Sequence, residues 1–389
     1  MKILHVFDFF SPHGGGTVDV IYKLSRALAQ RGHEVTIYTS DFKLDQQYID
    51  SLAEVKVYPF HCVSSFAEFY VMPDMVSLVR NRLQDFDIVH LHCFRSFQNM
   101  MIHHYAQKYD IPYVLDSHGS LPRSAAGETG YKWLLRWLFD ITFGSRILRD
   151  ASRVIAQNDF AVREYKEFGV ADGKIALIPL FFPVEDFAYL PSSGEFRNRF
   201  GIGDRKVIMF LGRIHRIKGL DFLIESFYEL SRSRKDVMLA IVGPDDGYRD
   251  KLLKLVSKLG LSDMVLFTGF LGGQDKLAAL VDADVVVQPS RYEQAAWAPI
   301  EAVLCGTPVI VSRNSGAGED VRRMDAGYLV EYGDKRQLVQ AIEEILNDPS
   351  KAKEKVSRAR EYVHSNLRFS DKVKDYERLY QECIVREKH

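Results

Sequence analysis

The stretch ADVVVQPSRYEQAAWAPIEAVLCGTPVIVS, residues 283–312, contains the signals of a strand, a helix and a second strand in succession. The β-branched runs VVV and VIV are each bounded by proline, glycine or polar residues, as is typical of buried strands. Pro299 predicts the first position of a helix, and Gly306 with Pro308 predicts that this helix ends near Cys305. The stretch therefore predicts a parallel βαβ unit.

The same alternation extends in both directions from this stretch. In the C-terminal half, three predicted strands precede the quoted stretch: KVIMFLGR, VMLAIVGP and MVLFTGF. The N-terminal half contains the predicted strands KILHVF, HEVTIYT, DIVHLH, PYVLDSHG, SRVIAQND and KIALIPL. Between the two series lies FAYLPSSGEFRNRFGIGDR, residues 187–205, which is rich in proline, glycine and charge and is typical of a linker. The chain is thus predicted to form an α/β fold with two doubly wound domains.

Composition places the chain among globular proteins. Of its 389 residues, 47% are hydrophobic and 26% are charged, which excludes a disordered chain and suits two or three domains. The formal net charge of -1 gives no electrostatic reason to expect a nucleic acid as partner.

The cysteines and the N-terminus bear on localisation. The four cysteines show neither a CxxC pair nor metal-ligand spacing, so they predict free thiols in a reducing compartment: Cys62, Cys93, Cys305 and Cys383. The opening MKILHVFDFF predicts a buried strand and not a signal peptide. No stretch approaches the roughly 20 apolar residues that cross a bilayer. We expect a cytoplasmic protein, active in solution or at the inner membrane face.

Two acids frame the loop and the helix start in the opening stretch. Glu293 follows the first strand and Glu301 lies in the first helical turn, where ligands of parallel sheets bind. Backbone N–H groups of residues 297–300, which include Trp297 and Ala298, offer a seat for phosphate at the positive helix end. Since a carboxylate beside a diphosphate is repulsive, we expect Glu301 to bind ribose hydroxyls and Glu293 to bind sugar hydroxyls. Taken singly, Glu301 could equally be a helix-start acid and Glu293 an ordinary loop acid.

Several motifs in order resemble one enzyme family. Glu293-x7-Glu301, followed by CGTPVIVS and Gly316, resembles the signature of retaining glycosyltransferases of family 4, which have the two-Rossmann-domain GT-B fold. The stretches PHGGGTVDVIYKLSRALAQRGHEVTIYTSD, LGRIHRIKGLDFLIESF and NLRFSDKVKDYERLY resemble its N-terminal glycine loop, its Gly-Arg…Lys-Gly element and its closing helix. The resemblance implies two Rossmann-like domains facing a central cleft. Residues 1–188 would form the acceptor side, residues 189–365 would bind the nucleotide sugar, and residues 366–389 would cross back to the first domain.

The resemblance also implies an activity. A family member transfers a hexose from a nucleotide-diphosphate sugar to a glycan or lipid-linked hydroxyl acceptor, keeps the anomeric configuration and needs neither cofactor nor metal. Glycan, polysaccharide or glycolipid biosynthesis, including that of the cell envelope, would be its setting. Four alternatives stay open: a sugar-nucleotide epimerase, a nicotinamide oxidoreductase holding a ribose with Asp41, a non-catalytic sugar-binding module, and a metal-dependent transferase using Asp85-Phe86-Asp87 or Asp282-Ala283-Asp284.

Residue roles follow partly from chemistry and partly from the resemblance. Arg213 and Lys218 are two fixed cations after a strand and can neutralise a diphosphate leaving group. By resemblance, His118 contacts the donor sugar, whereas His90 and His92 line the cleft or pack and His5 is assigned no role. These four catalytic candidates, His118, Arg213, Lys218 and Glu293, are expected to position groups and stabilise charge, with none acting as a general base.

Glycines and one loop complete the predicted donor site. Gly14, Gly15 and Gly16 follow the first strand, and consecutive glycines let backbone N–H groups approach a ligand. The resemblance assigns Gly15 and Gly16 to the donor phosphate. It also implies, less directly, that backbone groups of Gly269, Phe270 and Leu271 read the base edge.

The sequence departs from the family pattern at two places. After the first glutamate the family usually has Gly-Phe-Gly, but this chain has Gln294, Ala295, Ala296 and Trp297, so the identity of the donor sugar is open. The usual Pro-Asn-Gly turn before the linker is replaced by PLFF, residues 179–182.

An aromatic and basic segment raises the question of a membrane. YKWLLRWLFDITFGSRILRD, residues 131–150, combines Trp133, Trp137 and Phe139 with Lys132, Arg136, Arg146 and Arg149. Such a helix suits peripheral contact with a membrane surface and a lipid-linked acceptor, or it packs its apolar face on the domain.

Overall fold

The computed structural model describes residues 1–11, 15–66, 69–122 and 130–386, and these residues form two compact units. Unit 1 comprises Met1–Pro179 and the chain from Ser370 onward, and unit 2 comprises Leu180–Phe369. The sequence placed the first boundary after residue 188. Phe182, Val184 and Phe187 account for the difference, because all three are buried in the core of unit 2.

The central feature of unit 1 is a seven-stranded sheet whose pairings between described strands are all parallel. In spatial order its strands are β3 (Lys56–Phe60), β2 (Glu34–Ser40), β1 (Lys2–Phe9), β6 (Ile88–His92), β7 (Tyr113–Asp116), β8 (Arg153–Ala156) and β9 (Ile175–Leu177). Two short strands, β4 (Ser64–Phe66) and β5 (Phe69–Val71), pair antiparallel outside this sheet.

Helices connect these strands. They are α1 (Gly16–Gln30), α2 (Gln46–Asp50), α3 (Pro73–Arg82), α4 (Phe97–Tyr109), α5 (Tyr131–Phe139), α6 (Ser145–Asp150) and α7 (Asp159–Glu167). One π-helical turn, Asp140–Gly144, joins α5 to α6. The last helix of the chain, α16 (Phe369–Arg386), also packs in unit 1: Glu377 accepts hydrogen bonds from Arg31 Nη2 at 2.8 Å and pairs with His33 Nε2 at 2.9 Å.

Unit 2 contains a six-stranded parallel sheet. Its spatial order is β12 (Val265–Gly269), β11 (Val237–Val242), β10 (Lys206–Leu211), β13 (Val285–Gln288), β14 (Val309–Ser312) and β15 (Gly327–Val330). Its helices are α8 (Glu195–Arg199), α9 (Leu220–Ser233), α10 (Arg249–Lys258), α11 (Gly273–Asp282), α12 (Trp297–Leu304), α13 (Gly316–Arg323), α14 (Lys335–Asn347) and α15 (Pro349–Asn366).

Strand residues of unit 2 alternate between two apolar layers. Val207 and Met209 of β10 face one buried cluster, whereas Ile208 and Phe210 face the other. A strand that is covered on both faces reads as a continuous apolar run, which explains the sequence KVIMFL. The predicted α/β fold with two doubly wound sheets is therefore confirmed.

Each sheet has one point where the strand order reverses direction. In unit 1 it lies between β1 and β6, and in unit 2 it lies between β10 and β13. Connections leaving the two strands at such a point go to opposite faces, which opens a crevice at their carboxyl ends. The predicted site residues are concentrated in the segments that follow these strands.

The helix of the opening stretch differs from its prediction in two respects. It begins at Trp297, so Glu301 is its fifth residue and lies beyond the first turn, and Pro299 is its third residue and not its first. A proline is tolerated there because the first N–H groups of a helix have no intrahelical partner. Gly306 adopts a φ of 88° directly after the helix, as predicted for a glycine that ends it. Among the residues the structure describes, none of the helices is long and apolar enough to cross a lipid bilayer.

Candidate active site

An ion pair spans the strand-order reversal of unit 2. Lys218 follows β10, Glu293 follows β13, and Lys218 Nζ lies 2.6 Å from Glu293 Oε2. The two side chains are 16% and 11% exposed, so the pair is shielded from bulk water but remains open to a ligand. The structure thus brings together two of the four catalytic candidates.

Glu293 is held by its neighbours from both sides. Its Oε2 atom also accepts a hydrogen bond from Ser290 Oγ at 3.1 Å and faces Gln288 Nε2 at 3.3 Å. Its backbone oxygen accepts from the N–H of Gly316 at 2.7 Å, at the start of α13. Donors converging on one oxygen fix the direction of the carboxylate. Sequence reasoning missed Gln288 and Ser290, although both directly precede the loop.

Gly219 explains how Lys218 reaches Glu293. A 3-10 turn, Arg216–Lys218, leads to Gly219, whose φ is 68°. A Cβ atom at Gly219 would lie 2.0 Å from the backbone oxygen of Pro289, so only glycine allows this turn to rest against the end of β13. The N–H of Arg291 donates to Ile217 O at 2.8 Å and closes the contact.

Arg213 and Glu301 have partners that the sequence did not indicate. Arg213 Nη1 lies 2.7 Å from Asp246 Oδ2, and Glu301 Oε1 lies 2.7 Å from Lys276 Nζ. Arg213 is 56% exposed and Glu301 only 11%. Both residues belong to the same sheet edge as Lys218 and Glu293, but their ion-pair partners are Asp246 and Lys276. Asp246 and Lys276 come from other connections, and no local motif marks them.

The N-cap residue of α12 leaves the first turn without a side-chain cap, and Trp297 packs within unit 2. Ala296 is this N-cap residue and supplies no side-chain hydrogen bond. The Trp297 ring packs on Phe182, with centroids 4.6 Å apart, and on Phe181 at 6.3 Å. The two departures from the family pattern are therefore in contact with each other within unit 2. Trp297 and Ala298 are partly buried against the core of this unit, and their contact with a donor stays a prediction.

The segment predicted to read the base is only partly available. Gly269 O accepts a hydrogen bond from Gly243 N at 2.9 Å, and the Leu271 side chain is 7% exposed within the core. Phe270, by contrast, is 62% exposed. Of the three residues, Phe270 offers its ring to a ligand.

In unit 1, His118 and the glycines follow β7 and β1. His118 has a φ of 46°, a left-handed conformation that is uncommon for a non-glycine residue and concentrates at functional sites. Burial lowers the pKa of its imidazole, and Asp116, 3.6 Å from its Nδ1, opposes that shift. Gly15 is the N-cap of α1 with a φ of 74°, and Gly16 is the first residue of that helix. Gly14 lies outside the described residues.

The Asp-x-Asp pairs lie at the wrong ends of their strands for a metal-dependent transferase. Asp87 precedes β6 and accepts from Lys2 N at 2.7 Å, and Asp85 pairs with Arg82. Asp282 accepts from Gly194 N at 2.6 Å and Asp284 from Val207 N at 2.8 Å. These carboxylates fix chain segments at the amino ends of β6 and β13, away from the ligand edge. Asp41 is also engaged, since it accepts from Cys62 N at 2.8 Å and pairs with His61 Nδ1 at 2.9 Å.

One cluster in the described part of the chain has the composition of a metal site. His5, His90 and His92 bring ring nitrogens within 4.8 Å of one another, and all three are buried. However, Nδ1 of His5 is hydrogen-bonded to Nε2 of His92 at 2.9 Å, and Nδ1 of His90 to Tyr380 Oη at 2.7 Å. These hydrogen bonds orient the rings of the cluster.

Comparison with known sequences decides the family. The profile described as Glycosyltransferase Family 4 matches residues 14–186, and the profile described as Glycosyl transferases group 1 matches residues 192–362. The chain belongs to glycosyltransferase family 4. Neither the epimerase nor the oxidoreductase alternative is favoured by this result.

Individual relatives and solved structures agree with that placement. The N-acetyl-alpha-D-glucosaminyl L-malate synthase of Bacillus anthracis is 25% identical over 97% of each chain. A GDP-mannose-dependent phosphatidylinositol monomannoside mannosyltransferase of Mycolicibacterium smegmatis is 35% identical, over 40% of this chain and 42% of its own length. The crystal structure of Anabaena HepE in complex with UDP superposes with a TM-score of 0.79 at 20% identity, covering 98% of this chain and all of HepE. The family 4 protein therefore has the GT-B fold.

Proposed function

We propose that this glycosyltransferase moves a hexose from a nucleoside diphosphate sugar to a hydroxyl acceptor, with retention of configuration and without a metal ion. The observation that carries the proposal is the Lys218–Glu293 ion pair at the strand-order reversal of unit 2. It places one cation and one carboxylate where parallel sheets bind nucleotides.

The residues around this pair bind different parts of the donor. Lys218 and Arg213 neutralise the diphosphate, whose charge grows as the glycosidic bond breaks. Glu293 and Glu301 accept hydrogen bonds from sugar and ribose hydroxyls, and the uncapped N–H groups of α12 face phosphate oxygens. In the unliganded protein each of these charged side chains is paired with an opposite charge.

Retention requires that the acceptor attack the face of the sugar from which the diphosphate departs, and the proposal assigns no enzyme nucleophile. Glu293 is committed to Lys218, Ser290 and Gln288, which disfavours its attack on the anomeric carbon. In our proposal the departing diphosphate takes the proton of the acceptor hydroxyl on the same face of the sugar. His118 contacts the donor sugar as a neutral ring. Arg213 and Lys218 supply the positive charge that a divalent cation would otherwise contribute.

The names of relatives narrow the choice of donors to test first. HepE has a crystal structure in complex with UDP-glucose, and the mycobacterial mannosyltransferase is named for GDP-mannose. We therefore propose a UDP- or GDP-linked hexose for this chain. The hydrolysis of a panel of UDP- and GDP-sugars, followed by thermal-shift measurements with UDP and GDP, identifies the donor.

The expected result is thermal stabilisation by UDP or GDP that is unchanged by EDTA. Lys218→Ala should lose this stabilisation, whereas Lys206→Ala should keep it, because Lys206 pairs with Asp284 at the opposite end of the same strand. A shift that requires Mg²⁺ or Mn²⁺ contradicts the metal-independent mechanism. No shift with any nucleoside diphosphate, with or without metal, contradicts the proposed function.

We further propose that the acceptor is presented at an anionic lipid surface, with the protein on the cytoplasmic side. Helix α5 has no buried residue, and the segment from α5 through the π-helical turn exposes Trp133 at 39%, Leu134 at 53%, Leu138 at 48% and Ile141 at 53%. The alternative that this segment packs its apolar face on the domain is not favoured by these exposures. Phe66 of β4, 58% exposed, extends the apolar surface, and its ring centroid lies 6.1 Å from that of Tyr131.

The anchoring of this segment suits interfacial binding. Asp140, at the end of α5, is fully buried and receives Nε and Nη2 of Arg95 at 2.8 and 2.9 Å. A two-bond Arg–carboxylate contact holds the apolar helix rigidly at the surface. Lys132 and Arg136 on α5, with Arg146 and Arg149 on α6, complement anionic headgroups while the tryptophans enter the interface.

Liposome co-sedimentation tests this surface. The wild type should pellet with vesicles containing phosphatidylglycerol, less so at high salt, and Trp133→Ser/Trp137→Ser should remain in solution. Tyr189→Ser, at an aromatic position 88% exposed in unit 2, should pellet like the wild type. Equal and negligible pelleting of all three proteins overturns the membrane proposal and leaves the donor chemistry untouched.

A further inference from the structure

Three histidines form a continuous hydrogen-bonded chain that ends at His118. His5 Nδ1 lies 2.9 Å from His92 Nε2, and His92 Nδ1 lies 2.9 Å from His118 Nε2. His5 is on β1 and His92 on β6, so the chain crosses the strand-order reversal of unit 1. His5 and His92 are 0% and 1% exposed, and burial lowers the pKa of His5 to about 3 and that of His92 well below its usual value. The inner rings are therefore neutral.

A chain of neutral imidazoles allows only two proton arrangements. A neutral ring carries one N–H, and each hydrogen bond needs one donor and one acceptor. If His118 carries its proton on Nδ1, its Nε2 accepts from His92 Nδ1–H, and His92 Nε2 then accepts from His5 Nδ1–H. If His118 carries its proton on Nε2, both hydrogen bonds reverse. The three tautomers are consequently coupled.

The two ends of the chain select the same arrangement. At one end, Asp116 Oδ1 lies 3.6 Å from His118 Nδ1, so a proton on Nδ1 faces a carboxylate, whereas a bare Nδ1 would face it with a lone pair. At the other end, His5 Nε2 is buried with no hydrogen-bond partner among the described residues. A buried N–H without a partner is rarer than an under-satisfied acceptor, which favours a bare Nε2 there.

Asp116 is itself held in place. Gln157 Nε2 lies 2.8 Å from its Oδ1 and 2.7 Å from its Oδ2, and the backbone N–H of His118 donates to Oδ1 at 3.1 Å. Three contacts from donors keep this carboxylate an acceptor toward the histidine ring. The Nδ1–H groups of the three histidines therefore all point in the direction from His5 toward Asp116.

We propose that His5 and His92 are positioning residues that fix His118 as its Nδ1–H tautomer. The inference rests on the proposed function only in assigning His118 to the donor sugar. With Nε2 committed to His92, the polar group that His118 can offer a substrate is its Nδ1–H, which faces Asp116 at 3.6 Å without forming a hydrogen bond and can donate to a sugar oxygen. A neutral donor of fixed direction contacts the sugar without adding charge to the site, and the left-handed backbone of His118 holds the ring in that orientation.

His90 provides a matched control on the same strand. It is the register partner of His5, is 1% exposed and lies with its ring centroid 4.0 Å from that of His92. Its Nδ1 is bonded to Tyr380 Oη at 2.7 Å, which places it outside the chain. Replacement of His90 should therefore leave the tautomer of His118 unchanged, although it removes an equally buried imidazole.

Nitrogen-15 NMR of histidine-labelled protein reads the tautomer of each ring, because protonated and bare ring nitrogens have well-separated shifts. In the full-length wild type at neutral pH, His5, His92 and His118 should all be Nδ1–H, with His90→Phe as the reference that keeps this pattern. Asp116→Asn removes the selecting carboxylate and should raise the Nε2–H fraction in all three rings together, including His5, two rings away. His92→Phe removes the middle ring and should uncouple the tautomer of His5 from that of His118.

The outcomes separate this inference from the proposed function, since the spectra need neither donor nor activity. His118 found as Nε2–H in the wild type, or Asp116→Asn altering His118 without His5, overturns the directed chain. Once a donor is known, His92→Phe should lower kcat/KM about fivefold, the worth of one hydrogen bond, and His90→Phe should not. A protein without transferase activity but with the coupled tautomers would contradict the proposed function and leave the chain intact.

Discussion

The two strand-order reversals of this protein have the same topology but opposite electrostatics. In unit 1, β1 and β6 carry His5 and His92, which are neutral and almost fully buried. In unit 2, β10 and β13 lead to Lys218 and Glu293, which form an ion pair and are 16% and 11% exposed. Equivalent positions on equivalent sheets thus provide a neutral hydrogen-bonded chain in one case and paired charges in the other.

The difference shows what burial permits at such a point. A charge without access to water must be paired, and Lys218 and Glu293 satisfy that condition within reach of a ligand. Within the described part of the chain, the hydrogen-bond partners of His5, His90 and His92 are other histidines and Tyr380, none of which is a carboxylate, so burial favours their neutral forms. The geometry assigns charge neutralisation to unit 2 and uncharged hydrogen bonding to unit 1. The predictions below test that division.

The largest effect is expected where charge is removed from unit 2. Lys218→Ala should lower kcat about 10²–10³-fold, equivalent to about 3–4 kcal/mol, because a preorganised charge at the leaving group is lost. Steady-state kinetics with the identified donor measure this. Lys206→Ala, at the other end of β10, is the control and should retain wild-type kcat. A similar loss in both variants would mean that the position of the charge is irrelevant.

Glycine-to-alanine substitutions should give the second largest effect and should distinguish the two strand-order reversals. Gly219→Ala is expected to destabilise unit 2 by about 3 kcal/mol, because it adds left-handed strain to a clash with the Pro289 oxygen. Gly15→Ala has a similar φ of 74° but no described atom within 4 Å of its added Cβ, so its cost should be about 1–2 kcal/mol. Urea unfolding of both variants provides the comparison. Equal costs would contradict the close approach of the two loops in unit 2.

Acid should weaken unit 1 through its histidines. The pKa of His5 falls from 6.5 in the unfolded chain to about 3 in the folded one, so its contribution is fully present above pH 6.5 and is lost as the pH falls toward 3. At pH 5 the loss lowers the free energy of unfolding by about 2 kcal/mol for His5 alone. Urea unfolding at pH 7.5 and pH 5 should show a smaller pH dependence for His5→Phe than for the wild type. His104→Phe, at an exposed position of α4, should match the wild type.

The smallest effect is expected at the ribose contact. Glu301→Gln keeps the shape of the side chain but removes the charge that Lys276 pairs with, and should raise the donor KM about tenfold with little change in kcat. The comparison variant Lys276→Met tests whether the ion pair or the carboxylate itself is needed. If kcat falls as much as kcat/KM in Glu301→Gln, the residue acts in the transition state and not in donor binding.

Much of the fold could be predicted because its signals are local. The buried runs VVVQ and VIVS became β13 and β14, Gly306 ended α12, and α9 begins at Leu220 as the loop glycine before it indicated. Errors came from tertiary contacts. Phe182 extends unit 2 toward the N-terminus because it packs on Trp297, and that packing cannot be read from either stretch alone.

The site was predictable to the same extent. Lys218 and Glu293 could be assigned because each directly follows a predicted strand, and their contact follows from the adjacency of β10 and β13. Lys276 and Asp246 could not be identified, since they approach their partners only through the folded sheet. His5 was overlooked because one histidine in an apolar strand has no pattern, and only the pairing of β1 with β6 places it beside His90 and His92.

Calorimetric titration of UDP and GDP in the presence of EDTA tests the central claim most directly. The account predicts that one of them binds the wild type and Lys206→Ala with equal affinity and binds Lys218→Ala at least tenfold more weakly, about 1.4 kcal/mol. Binding that appears only with Mn²⁺ or Mg²⁺, or that is indifferent to Lys218, would contradict a diphosphate site built on the ion pair of unit 2.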